Sequence, residues 1–233
     1  MKKIVINADD FGLTPNVNSG IMTAHKSGVV TSASIIPTGA AFEEAVKLAR
    51  ETPSLAVGIH LDLDKFFTIN HEKGYVTGWA VQPPPLEEIK AEIRKQIETV
   101  KSTGLSPDHL SSHHHPHLDP LVMPIAVSIA KEYGICCMRF FRKFYKDQKV
   151  YDGIKKIIED NNIFYTPHFI EGWYWGNIDE AFNVAELVTH PGYGELWREY
   201  ELSACCNPQL KVHFQQSSIV STTFRELREL SAK

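Results

Sequence analysis

The chain has 233 residues, 43% of them apolar and 22% charged, the balance of a folded globular domain with enough length to bury a core without staples. Its 24 Lys+Arg against 28 Asp+Glu give a net charge of -4, which argues against a nucleic-acid binder. Disorder, collagen and coiled coil are excluded as whole-chain descriptions, and no apolar run approaches the ~18 residues of a membrane span.

In chain order, Lys3 to Ala8 reads as a buried strand ending at Asp9-Asp10. Thr14-Pro15 then gives an N-cap with proline at the first helical position, and the helix runs to about Lys26 before Gly28. A strand over Thr31–Ile36, a helix over Phe42–Arg50 and a strand over Leu55–Leu61 follow. The stretch from Asp64 to Pro85 reads as a long loop, with two glycines and three consecutive prolines; loops of that length tend to be functional. Leu86, Ile89, Ile93, Ile97 and Val100 recur at helical spacing, so a helix is expected over Leu86–Thr103. Asp108–Ser112 is a short strand, Pro120–Tyr133 a helix closed by Gly134, Ile135–Phe140 a strand and Tyr151–Asn161 a helix. Residues 140–180 are the least legible. Asn183–Thr189 and Ser217–Thr222 read as strands and Phe224–Leu230 as a last helix. Strands alternating with helices predict a parallel α/β sheet, open or closed as a barrel. With no linker or shift in composition, a single domain over 1–233 is expected.

Histidine is over-represented. Five of the 11 fall between His109 and His117, where an even spread would put fewer than one. The four cysteines form two adjacent pairs, Cys136–Cys137 and Cys205–Cys206, with no C-x-x-C. They read as reduced core residues, the first pair in a strand, which suits the cytoplasm. The N-terminal apolar run Ile4-Val5-Ile6 is too short for a signal peptide.

The polar residues with chemical potential sit where strands end: Asp9 and Asp10, His60, the histidine cluster and His190. In parallel α/β folds these ends open on one face, where active sites lie. Four segments should therefore converge. Adjacent strand residues face opposite ways, so Asp9 and Asp10 should divide their labour unless the chain has already turned. Pro116 disfavours a helix through His115, so an extended cluster is expected, with His113, His115 and His117 on one side and His114 on the other. Imidazoles suit zinc and similar cations. His190 is a candidate general acid, Arg139 a holder of a carboxylate or substrate oxygen, and Trp173-Tyr174-Trp175 a sugar-stacking surface. The competing reading of each is ordinary: a helix-capping Asp pair, a hydrogen-bonded strand His, a metal-sticky tract, a turn His, core aromatics.

The blocks Asn7-Ala8-Asp9-Asp10-Phe11-Gly12, Asn18-x-Gly20-Ile21, Gly58-Ile59-His60-Leu61, His109-Leu110-x-x-His113-x-His115-x-His117 and His190-Pro191-Gly192, in this order, resemble the YdjC-like carbohydrate deacetylases, which include chitooligosaccharide deacetylases. The resemblance implies a distorted (β/α) TIM-like barrel and one divalent cation, Mg or Zn. It implies hydrolytic removal of acetyl from N-acetylated sugars, with a small carbohydrate as substrate and no nucleic-acid or membrane partner. It places metal ligation on Asp10, His60 and His113 and the base on one member of the Asp9-Asp10 pair, taken here as Asp9; the acid would be His190 or another histidine of the cluster. His115, His117 and Arg139 then fall to substrate or supporting roles. A homodimer is compatible with all of this. One departure stands out: the family usually has Asp in the cluster where this chain has Ser111. If that Asp orients a ligand histidine, its loss should cost ~10–100-fold in metal affinity or activity. Two other readings are carried: a metal-dependent phosphoester or other hydrolase, and a non-catalytic sugar- or metal-binding relative.

Overall fold

The computed structural model describes residues 1–72, 74–171 and 181–231. Its centre is β1 (Lys2–Phe11), whose residues from Ile4 onward are all buried. One side of β1 pairs in parallel with β8 (Val184–Thr189) over Lys3 to Ala8. The other side is shared: β9 (Ile219–Thr222) takes Lys2 to Val5, and β2 (Ser32–Ile35) takes Asn7 to Phe11. Outward from β2 come β3 (Ala56–Leu61) and β6 (Leu110–Ser112); outward from β8 comes β7 (His168–Glu171). All these pairings are parallel, so both faces need cover and the strands read as near-continuous apolar runs. Isolated bridges, Leu110 to Met138 and Cys137 to Phe164, carry the sheet past β6. The result is a curled parallel sheet, a half-barrel, alternating with helices.

The helices supply the cover. Thr14 caps α1 (Pro15–Lys26) by accepting from the Val17 N–H. Then come α2 (Phe42–Glu51) and α3 (Leu86–Ser102). Ile89, Ile93, Ile97 and Val100 of α3 are fully buried; each such side chain contributes about 1.5–3 kcal/mol. The remainder are α4 (Met123–Glu132), α5 (Gln148–Asp160), α6 (Leu196–Cys205), α7 (Pro208–Gln216) and α8 (Phe224–Ser231). Among the described residues no helix is long and apolar enough to cross a membrane. A Cβ added to Gly20 would lie 2.4 Å from Gly192 Cα, so α1 and the loop after β8 meet backbone to backbone. That contact sets where the His190 loop sits.

Several expectations need correction. The stretch from Asp64 is not one long loop: it holds a short 3-10 turn and an antiparallel hairpin of β4 (Phe67–Asn70) and β5 (Tyr75–Trp79). Ile135–Phe140 makes only the two bridges, so Cys136 and Cys137 lie outside any strand. All four cysteines are free. β7, α6 and α7 were not foreseen. The histidine cluster is not extended. His114 and His115 are in the left-handed region, at φ 54° and 65°, and Pro116–Leu118 forms a 3-10 turn. Extended alternation is lost there, and the histidines diverge. Trp173-Tyr174-Trp175 lies outside the described residues.

Candidate functional site

Four strand ends meet as the alternation of elements requires. β1 delivers Asp9 and Asp10, β3 delivers His60, the turn after β6 delivers His113, and the turn after β8 delivers His190. Asp10 has φ 70°, so the chain has already turned there. A non-glycine residue in that region carries local strain. The turn sends both carboxylates into the same space: His60 Nε2 lies 3.8 Å from Asp9 Oδ2 and 3.4 Å from Asp10 Oδ1.

The two carboxylates have different partners. Asp9 is gripped by Arg139, whose Nη1 and Nη2 donate to its two oxygens at 2.6 and 2.9 Å. Asn7 Nδ2 adds a third bond at 2.8 Å. Arg139 is fully buried and also donates to Glu186 at 2.6 and 2.8 Å. Burial alone would raise the Asp9 carboxyl, but the Arg139 guanidinium overrides it and holds it well below the usual range. Asp10 Oδ2 accepts from Arg198 Nη2 at 2.8 Å. Its Oδ1 is buried and makes no well-formed hydrogen bond. That atom sits 3.2 Å from His113 Nδ1 and 3.4 Å from His60 Nε2. Burial opposes ionisation of Asp10 too, and the neighbouring His113 and His60 keep it well below the carboxylate range. Burial pushes His113 down, but Asp10 and then Asp64 lift it to about 9.

Asp10, His60 and His113 thus bring three potential ligand atoms together. An orphaned buried carboxylate oxygen between two imidazole nitrogens is a donor set that fits a divalent cation. A second group, Asp64, His113 and His114, shares His113. It would use the other ring nitrogen, since His113 Nε2 faces Asp64 at 3.8 Å. Filling both groups would make one imidazole bridge two cations, so the arrangement suits one cation at a time. A cavity of about 520 Å³ opens beside His113, lined in part by Leu13, Ile36, Thr38, Asp62 and Glu92.

The remaining candidates separate. His190 Nε2 is 4.0 Å from Asp9 Oδ2, and its Nδ1 is 3.6 Å from Glu201 Oε2. Burial would lower His190; the Glu201 charge raises it. Glu201 is itself fixed by bonds from Thr189 Oγ1 and the His190 N–H, at 2.7 and 2.5 Å. His115 turns edge-on to Phe141 and Phe169, and burial followed by the Arg139 charge keeps it neutral. His117 does not join the group of three. It is fully buried, bonded to Ser112 Oγ and to the Arg139 carbonyl. Burial, opposed by that carbonyl and aided by the guanidinium, pushes it down to about 3. It therefore supports Arg139. Ser111 Oγ contacts His60 Nδ1 at 2.8 Å, so the serine sits against a candidate ligand.

The family model for YdjC-like protein matches residues 3–216. The chain belongs to the YdjC-like family. Among YdjC-like relatives, a carbohydrate deacetylase of Vibrio parahaemolyticus serotype O3:K6 is 31% identical, over 97% of this chain and 96% of that protein. One of Brevibacillus brevis is 32% identical, over 97% and 99%. A solved Enterococcus faecalis V583 protein with a suggested role in cellobiose-phosphate cleavage superposes with a TM-score of 0.79 at 26% identity, over 97% and 98%. Against this YdjC-like frame, Arg198 and Glu201 of α6, Glu186, Asp64 and Asn7 are site residues that the sequence reading missed. Arg198 and Glu201 are buried charged residues three apart on one helix, a signal that exists in the sequence only once α6 is recognised.

Proposed function

We propose that this chain is a cation-dependent hydrolase that removes acetyl groups from N-acetylated sugars, with chitooligosaccharides as reference substrates and acetate as product. The observation that carries the reading is Asp10 Oδ1, buried and unsatisfied between His60 and His113, next to a separately held second carboxylate. The deacetylase relatives, matched over nearly their whole length, support it. The curled sheet is read as a distorted (β/α) barrel forming one domain.

Asp10, His60 and His113 would hold one divalent cation. Two imidazoles and a carboxylate favour Zn over Mg, which prefers oxygen donors. When bound, the cation polarises water and the acetyl carbonyl. The chain's own residues do the rest. Asp9, kept ionised by Arg139, accepts the proton of the attacking water. A carboxylate of such low basicity suffices only for water that is already acidified. His190, whose pKa the Glu201 charge raises against the effect of burial, gives its proton to the leaving amine. The test is acetate release from diacetylchitobiose and related N-acetyl sugars by cation-loaded protein; no release across the panel overturns the reading.

The acid role has its own signature. A protonated acid is present below its pKa, so kcat/KM should fall as pH rises through the raised pKa of His190. Glu201→Gln removes the charge that raises it. The alkaline limb of the pH–kcat/KM profile should therefore move to lower pH in Glu201→Gln. An unmoved limb would remove His190 from the acid role.

A further inference from the structure

His60 can serve a cation through Nε2 only if its proton sits on Nδ1. The buried bonds beneath it determine where that proton lies. At the far end, Asp108 Oδ1 lies 2.7 Å from His109 Nδ1. A carboxylate only accepts, so His109 carries its proton on Nδ1. Its Nε2 is then an acceptor in the neutral ring, and Ser34 Oγ lies 2.8 Å away. The Ser34 hydroxyl proton is thereby committed to His109.

Ser34 Oγ must accept from its other neighbours. One is Asn7 Nδ2, at 2.8 Å. The orientation of that amide is fixed, because the same nitrogen donates to Asp9 Oδ1. The other is Ser111 Oγ, at 3.0 Å. Ser111 therefore directs its proton to Ser34, with the Ile59 carbonyl a longer alternative at 3.5 Å, and in either case His60 Nδ1, 2.8 Å away, donates to Ser111. Every hydroxyl and ring nitrogen in this chain has one consistent direction. Ser34, His60, His109 and Ser111 are each no more than 1% exposed, so water does not offer the bonds an alternative.

We propose that Asp108–His109–Ser34–Ser111 is a one-way hydrogen-bond relay that fixes the Nδ1–H tautomer of His60 and presents its Nε2 lone pair to the cation. Ser111 carries no charge of its own; the charge that orients the relay is the Asp108 carboxylate, three side chains away from Ser111. Asp108, His109, Ser34 and Ser111 are positioning residues. The packing is built for this path. His109 stacks on Phe224 at 4.3 Å between ring centroids. A Cβ at Gly58 would lie 2.2 Å from the His109 ring, so only glycine leaves room for it.

The inference rests on the cation reading for its purpose, but its test does not. The full chain, labelled with 15N-histidine and freed of cations with chelator, is observed by NMR at alkaline pH, where the ring nitrogens report the tautomer directly. Zn affinity is measured by competition on the same samples. Asp10 Oδ1 and Asp9 Oδ2 face His60 Nε2 at 3.4 and 3.8 Å without a well-formed bond, so the 2.8 Å bond to Ser111 should prevail and wild type should show His60 protonated on Nδ1. His109→Phe keeps a ring against Phe224 and deletes both bonds; it should move a large fraction of His60 to the Nε2–H form and weaken Zn binding about 10-fold. Ser34→Ala cuts the relay without touching a ligand, should act the same way, and serves if His109→Phe does not fold. A wild-type His60 protonated on Nε2 overturns the relay. So do variants that keep both the Nδ1–H tautomer and the wild-type Zn affinity, as a purely structural role would predict. Wild-type protein with the Nδ1–H tautomer but no Zn binding supports the relay and overturns the cation reading instead.

Discussion

Asp10→Asn is expected to weaken Zn binding ~100-fold or more and to take acetate release to background. The substitution keeps the shape and removes the one negative donor from the group of three. Losing a residue that merely supports a ligand costs ~10–100-fold, so loss of a ligand charge should exceed that. Asp9→Asn is the informative counterpart. Asp9 faces Arg139 with both oxygens and is assigned the proton transfer. Asp9→Asn should bind Zn within a few-fold of wild type while losing acetate release by ~10²–10⁴, the usual weight of a general base. Titration calorimetry and an acetate assay on both variants separate the roles. If Asp9→Asn loses the cation and Asp10→Asn keeps it, the two assignments are reversed.

Arg139→Leu should be among the most destabilising single changes in the chain. Arg139 neutralises Asp9 and Glu186 at once, and all three side chains are at most 1% exposed. Removing the cation leaves two buried carboxylates without it. Breaking a buried ion pair from one side costs about 3–5 kcal/mol, which for a chain of this size lowers Tm by roughly 6–20 °C. Adding Glu186→Gln should recover part of the loss, because one orphaned charge is then gone. Thermal melts of the single and double variants check this. A shift below about 2 °C for Arg139→Leu would show that the triad is solvated, contrary to its burial.

The strand ends were legible because ionisable side chains stand there beside apolar strand residues. Ile4, Ile59 and Leu187 fill the interior of their strands, and Asp9, His60 and His190 stand at or just beyond the C-terminal ends of those strands. Convergence of those ends follows from parallel connectivity alone. What was not legible has specific physical causes. The turn at Asp10 is a backbone choice, made for a non-glycine residue at φ 70°, and no pattern announces it. The histidine cluster was expected to be extended because Pro116 disfavours a helix; left-handed residues at His114 and His115 satisfy Pro116 equally well. Arg198 meets Asp10 across 188 positions and Arg139 meets Asp9 across 130. Arg139 was picked out by its place at the end of an apolar run, although that run is not a strand. Arg198 lay in a stretch with no assigned element. α6 escaped because its exposed face carries Leu196 and Tyr200, at 87% and 59%, while its buried face mixes Arg198 and Glu201 with Leu202 and Cys205, which blurs the usual amphipathic pattern. Ser111, met in the sequence as a departure, turns out to occupy the same contact with His60 that an orienting group would need.

The most direct measurement is acetate release from diacetylchitobiose by one preparation in three states: as purified, after removal of divalent cations with chelator, and after reloading with Zn or Mg. The account predicts release by the first, loss in the second and recovery in the third at one cation per chain. Release that survives chelation would contradict it, as would recovery that requires two cations per chain.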